Sequence, residues 1–320
     1  MASNVMDALS YTDEDNTVLH YRLYVPDDYS AEKEYPLVLF LHGAGERGTN
    51  NFSQINNVGI INRIINSDTA DFDCIIVAPQ CATNNQWVDT PWAYGSYVQD
   101  NIPISKYMKA TKSLISHIES IYSVDSKRLY VTGLSMGGYG SWDIITRYPD
   151  MFAAAIPICG AGDPSKAELI KDVAIWAFHG SDDNVVPVEG TRQMVDALEE
   201  HDGNIQYTEY PGVDHGSWGL AYAEDNLLTW LFAQEQAEPD PTTASTTEPT
   251  TESTSEPTTE PTTTDDDISL TETLAPKDDD SKSPKTGKDS IRYALISIAL
   301  SLSVSIFGLK AMTKSRNTQV

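Results

Sequence analysis

The sequence predicts an α/β protein built on a mostly parallel, doubly wound sheet with helices on both faces. Three observations lead there. Short apolar runs alternate with longer segments of helical spacing, the order that parallel strands need for their crossovers. Two of those runs, LVLFL at 37–41 and CIIVA at 74–78, are apolar throughout, as strands covered on both faces are. A third, RLYVT at 128–132, stops at a glycine-flanked serine, and in such sheets functional groups gather beyond the carboxyl ends of the strands.

Taken in order, TVLHYRLYV at 17–25 alternates and reads as an antiparallel edge strand ended by Pro26. The two buried strands follow. Met108, Ile115, Ile118 and Tyr122 fall at helical spacing and predict a helix over 104–122. After the strand at 128–132, a helix is expected over 137–148. Further strands are expected at 153–158 (AAAIPI), 173–180 (VAIWAFHG) and 205–210 (IQYTEY), with helices over 191–200 and 223–234. Only 14 residues lie between IPI and VAIWAF, too few for a large helical lid, so the lid is minimal and the cleft open.

Composition divides the 320 residues. All six Trp, all six His and all three Cys lie before residue 237, so residues 1–236 form the globular domain. Residues 237–282 are Thr, Glu, Pro, Ser and Asp, with almost nothing to bury, and read as a disordered, extended spacer. A net charge of −26 excludes nucleic acid as a partner, because its phosphates would be repelled. Cys74 and Cys81 bracket an extended strand that separates them by roughly 20 Å, too far for a disulfide, so the cysteines read as buried thiols. No Cys/His cluster has ligand spacing, so no metal is expected.

The chemistry centres on Gly133-Leu134-Ser135-Met136-Gly137. A serine hydroxyl is a weak nucleophile and needs an oriented base, a carboxylate behind it, and donors for the oxyanion. The pentapeptide matches G-x-S-x-G, in which small flanking residues let the backbone turn sharply and leave the hydroxyl exposed. After the strand VAIWAF comes HGSDDNVVPV, which offers Asp182 and Asp183; Asp183 is preferred because it precedes the NVVP turn. Of the later histidines, His179 reads as bracing that turn and His201 as ending a charged helix. His215, in the glycine-rich PGVDHGSW, is assigned as the base. The oxyanion donors are the amides of Met136 and of Ala44 in LHGAGERG, with Gly45 the alternative to Ala44. Candidate substrate contacts are Gln80, Trp87, Trp92 and Arg47, and Glu46 is a candidate partner for Arg47.

With LHGAGERG, APQ, GLSMGG, HGSDDNVVP and DHGSW in this order, residues 17–235 resemble the α/β-hydrolase superfamily. The likeness is to its esterase and dienelactone-hydrolase-like branch, which holds feruloyl and acetylxylan esterases. It implies an α/β-hydrolase fold and cofactor-free acyl transfer through Ser135, Asp183 and His215. LHGAGERG also recurs in predicted peptidases, which leaves amide cleavage as the alternative, and a catalytically dead adhesin as a further one.

The C-terminal segment, 283–320, joins SPKTG, an uncharged span at 293–309 and a basic tail. This order resembles the cell-wall sorting signal of Gram-positive surface proteins, with Ser283 where leucine is usual. It implies sortase cleavage between Thr286 and Gly287, peptidoglycan as the attachment point and a cell-surface location. MASNVMDALS has no apolar core of a signal peptide, so the reading expects the true start to lie upstream. The expected activity is removal of acetyl or feruloyl groups from polysaccharide or its fragments, with small esters as alternative substrates.

Overall fold

Eight strands form one sheet in the order β1-β2-β4-β3-β5-β6-β7-β8. They are β1 (Asp7–Thr12), β2 (Val18–Tyr24), β3 (Tyr35–Leu41), β4 (Ile75–Gln80), β5 (Val124–Leu134), β6 (Ala154–Ile158), β7 (Ala174–Gly180) and β8 (Ile205–Tyr210). Pairing is parallel from β4 through β8 and antiparallel only where β2 meets β1 and β4. The helices are α1 (Gly59–Ile65), α2 (Lys106–Ile121), α3 (Met136–Arg147), α4 (Glu189–Glu200), α5 (Trp218–Ala221) and α6 (Leu227–Phe232). The computed structural model describes residues 5–236, apart from 57, 58 and 68. The acidic spacer, Thr286, Gly287 and the apolar span lie outside the described residues. Among those described, no helix is long and apolar enough to cross a membrane.

The strand period of two sorts the core into two layers. Leu37, Leu39 and Leu41 of β3 point to the side covered by α2, α3 and α4, and Val38 and Phe40 to the side covered by α1, α5 and α6. All seven β3 residues are buried, each large aliphatic side chain contributing about 1.5–3 kcal/mol of transfer free energy. Ser105 caps α2 by accepting the Met108 amide at 3.1 Å, and the helix turns Met108, Leu114, Ile115 and Ile118 inward.

Two expectations are corrected. The strand at 17–25 is not the edge: β1 pairs outside it, and β1 escapes notice because it is exposed on nearly every residue and carries no apolar alternation. The helix expected over 223–234 is confined to Leu227–Phe232, preceded by the short α5; the intervening residues 222–226 include Glu224, Asp225 and Asn226, of which Asp and Asn favour turns over helix interiors. Helix α1 has no forerunner in the sequence reading, since its GIINRII is built from poor helix formers. The segment between β6 and β7 holds one 3₁₀ turn, Pro164–Ile170, whose Ala167 and Ile170 are buried, so it serves as packing rather than as a lid.

The chain leaves β3 for β4 on one side and returns across β3 to β5 on the other. This reversal opens a crevice beyond the carboxyl ends of β3 and β5. The loops after β3, β5, β7 and β8 meet there.

Candidate active site

Ser135 joins β5 to α3 with φ 56° and ψ −117°, outside the helical and extended regions. Such a conformation persists only where the surroundings impose it. Here the Ser135 amide donates to Ile158 O at 2.9 Å, and its carbonyl accepts the Tyr139 amide at 3.1 Å. Glycine is required on both sides: a Cβ on Gly133 would strike the Gly137 carbonyl, and one on Gly137 would strike the Leu41 carbonyl. The close approach of α3 to the end of β3 therefore depends on those two hydrogens. The serine hydroxyl is left at the head of the crevice.

His215, on the loop after β8, places Nε2 2.8 Å from Ser135 Oγ and Nδ1 2.7 Å from Asp183 Oδ2. Asp183, after β7, is fully enclosed. Its Oδ1 accepts the Val185 and Val186 amides, both at 2.9 Å, and its Oδ2 also faces His179 Nε2 at 3.1 Å. Burial alone would raise the Asp183 pKa, but hydrogen bonds from His179, His215 and the two amides outweigh it and hold the carboxyl well below the usual range. The acid therefore stays ionised and fixes His215 with its proton on Nδ1. That leaves Nε2 free to accept the serine proton. Asp182 is an exposed turn residue bonded to Ser181, and His201 closes α4 at the surface.

His179 does more than brace a turn. Its Nδ1 meets Thr191 Oγ1 at 2.8 Å, its Nε2 faces both Asp183 and the Val186 carbonyl, and the whole ring is buried. Because Nε2 faces two acceptors, the proton belongs on that atom. The signal available in the sequence was the spacing of His179 from Asp183, four residues apart in HGSDD.

On the other side of the crevice, Ala44 opens a 3₁₀ turn, Ala44–Glu46, directly after β3, and Met136 opens α3. Amides in a first helical turn have no carbonyl behind them to serve, so both are available to an anion, with the α3 dipole reinforcing Met136. A Cβ on Gly43 would lie 2.8 Å from Leu134 Cδ1, which sets the Ala44 turn beside the nucleophile. Gly45 borders open space.

The named substrate contacts divide. Gln80 is buried and spent: its Oε1 accepts the Asn51 amide, and its Nε2 donates to Glu46 O and Asn50 Oδ1, tying down the loop 46–51. Trp87 is fully buried, donates Nε1 to His42 O at 3.0 Å and packs on Gly140. Neither is placed to touch a substrate. Trp92 is half-buried, and its carbonyl accepts the Tyr139 hydroxyl at 3.1 Å. Arg47 is also half-buried; its Nε donates to Ala44 O rather than pairing with Glu46.

All three cysteines are free and buried. Cys159 Sγ lies with Asp183 and His215 in a set of donor atoms within 4.8 Å. Asp183 and His215 are already bonded to each other, and burial pushes the Cys159 thiol up, which keeps it protonated and a poor metal ligand. The arrangement suits proton transfer.

The family described as "Putative esterase" matches residues 14–240. Among solved structures, the chain is similar to a crystal structure of a thermostable esterase, at 40% identity and a TM-score of 0.65, over 73% of this chain and 64% of that one. It is 27% identical over 135 residues to "Poly(3-hydroxyalkanoate) depolymerase C" of Paucimonas lemoignei, covering 32% of this chain. It is 26% identical over 195 residues to "Probable feruloyl esterase C" of Aspergillus flavus, covering 60% of this chain. The chain spans 30% and 66% of the lengths of those two curated relatives.

Proposed function

The chain belongs to this esterase family and has the α/β-hydrolase fold; on that premise we propose that it is a carboxylic-ester hydrolase, that Ser135, His215 and Asp183 form its catalytic triad, and that it removes acetyl or feruloyl-type groups from polysaccharide or oligosaccharide at the cell surface. The observation that carries the mechanism is the unbroken line of hydrogen bonds from Ser135 Oγ through His215 to Asp183, at 2.8 and 2.7 Å.

In the first step His215 Nε2 takes the hydroxyl proton as Ser135 Oγ attacks the ester carbonyl. The new oxyanion accepts from the Met136 and Ala44 amides, an arrangement in which each donor contributes on the order of 10²–10³ in rate. The imidazolium then gives its proton to the departing alkoxide, and the alcohol leaves. Water, deprotonated by the same imidazole, cleaves the acyl-serine and restores the hydroxyl. Asp183 stabilises the imidazolium without taking its proton.

The substrate reading is supported by the similarity to a feruloyl esterase and by the absence of a large lid between β6 and β7, which suits an acyl group hanging from a polymer. The wall-anchored location rests on the order of SPKTG, apolar span and basic tail in the sequence.

A panel of p-nitrophenyl acetate, methyl ferulate, acetylated xylan oligosaccharides and aminoacyl p-nitroanilides tests this reading on the full chain. Ester turnover with negligible anilide turnover is expected. Faster anilide cleavage would overturn it in favour of a peptidase.

A further inference from the structure

We propose that Arg47, backed by the ring of Trp92, forms a subsite for a carboxylate carried by the substrate near its ester bond. The inference rests on the esterase reading above and adds a charge preference to it. Arg47 is three residues beyond the oxyanion candidate Ala44 and donates Nε to the Ala44 carbonyl at 2.9 Å. Its Nη1 reaches only the Asn85 carbonyl, at 3.4 Å, and its Cζ lies 5.7 Å from the centre of the Trp92 ring. A guanidinium has five N–H donors in a planar fork that matches a carboxylate, and most of this fork is unspent.

Among the other described arginines, Arg128 holds Asp125 at 2.6 Å, Arg147 holds Asp143 at 2.7 Å and Arg192 holds Glu209 at 2.6 Å, while Arg22 and Arg63 spend two or more donors each on backbone carbonyls, the shortest at 2.6 Å. In a chain with 47 acidic and 21 basic residues, acids are the easiest partners to supply. Yet no described carboxylate lies within ion-pairing distance of Arg47. The adjacent Glu46 turns its carboxylate toward Gly43, where a Cβ would meet Glu46 Oε2 at 3.1 Å. Trp92 Nε1 is enclosed without a hydrogen-bond partner, so the indole is held by packing and by the cation above it. A half-buried cation kept unpaired beside the oxyanion turn is thus placed to receive an anion from outside.

The carboxylate could belong to a uronic acid in the alcohol part or to a diacid in the acyl part. Two matched pairs separate these sources: O-acetyl glucuronic acid against O-acetyl glucose, and p-nitrophenyl hemisuccinate against p-nitrophenyl butyrate. In one pair, the charged member should show kcat/KM roughly tenfold or more above its neutral partner, as expected for a charge-assisted contact. Arg47→Met should bring that ratio to about one, Arg47→Lys should keep part of it, and added salt should shrink it. The ratio separates recognition from a purely structural role, which would lower both members alike. Should Arg47→Met fail to fold, the ratios of Arg47→Lys and the salt dependence of the wild type carry the test. Equal rates within both pairs, or an equal loss on both members in Arg47→Met, would overturn the subsite. No turnover of any of the four esters would remove the esterase reading itself.

Discussion

Compare the loops after β7 and β8 with the loops after β3 and β4. On the first side, polar groups pass bonds along a line that ends at the serine hydroxyl: Val185 and Val186 amides to Asp183, Asp183 to His215, His215 to Ser135. On the second side, polar groups close on themselves. Trp87 donates to the His42 carbonyl, the His42 ring accepts the Cys81 amide at 2.9 Å, and Gln80 is consumed by the 46–51 loop. The first arrangement leaves a hydroxyl whose proton has an oriented base to receive it. The second spends its side chains to hold a backbone turn still. Both are polar and at least partly buried, so burial and polarity do not mark a functional residue; where the bonds end does.

The comparison breaks most sharply through the chemical side. Ser135→Ala should lower kcat by roughly 10⁴-fold or more, and Asp183→Asn by about 10³–10⁴-fold, with thermal midpoints near wild type for the serine variant. Steady-state ester kinetics would show it. If Asp183→Asn keeps full activity, Asp183 is not part of the line.

On the structural side the effect should appear in stability. Trp87→Ala removes a fully buried ring and should cost about 3–5 kcal/mol in denaturant unfolding. A lower KM-related efficiency with unchanged stability would instead restore Trp87 as a substrate contact.

His42 offers a pH test. Burial lowers its pKa from 6.5 to about 4, since the charged ring would be desolvated and would lose the Cys81 amide bond. Between those values the unfolded chain binds the proton and the folded chain does not, so stability falls as pH drops from 6.5 toward 4, by about 3 kcal/mol from this group. His42→Gln, whose side-chain oxygen can take the Cys81 amide, should flatten that slope. Asp183, with its lowered pKa, adds a loss at still lower pH. An unchanged slope in His42→Gln would contradict the closed arrangement.

The smallest expected effect is at Gln80. Gln80→Leu should cost about 1–3 kcal/mol by orphaning the Asn51 amide, while shifting relative rates among different esters little.

Much of this was legible in the sequence because chemistry constrains it. Ser135, Asp183 and His215 each follow a strand expected from the sequence, and each sits among residues that fix a turn, so motif and order together pointed to them. The geometry of β3 and β4 followed from uninterrupted apolar runs. Other features had no such constraint. Strand β1 is exposed on nearly all residues, so nothing in its pattern distinguishes it from a loop. Gln80 and Trp87 lie near a strand end that borders the crevice, and sequence gives the position along the chain but not the direction of the side chain. In the folded domain Gln80 turns toward the 46–51 loop, and Trp87 lies against Gly140, inside the layer. His179 was read as a turn residue because its partner Thr191 is twelve residues away on α4, a contact that only the fold creates.

The central claim is that Ser135 Oγ is the nucleophile and His215 its base. The most direct test is the site and rate of labelling by a fluorophosphonate, read by mass spectrometry of peptides from the full chain. A single adduct is expected on Ser135, none in Ser135→Ala, and labelling slowed by roughly 10³-fold or more in His215→Ala. An adduct on a different residue, or undiminished labelling without His215, would contradict it.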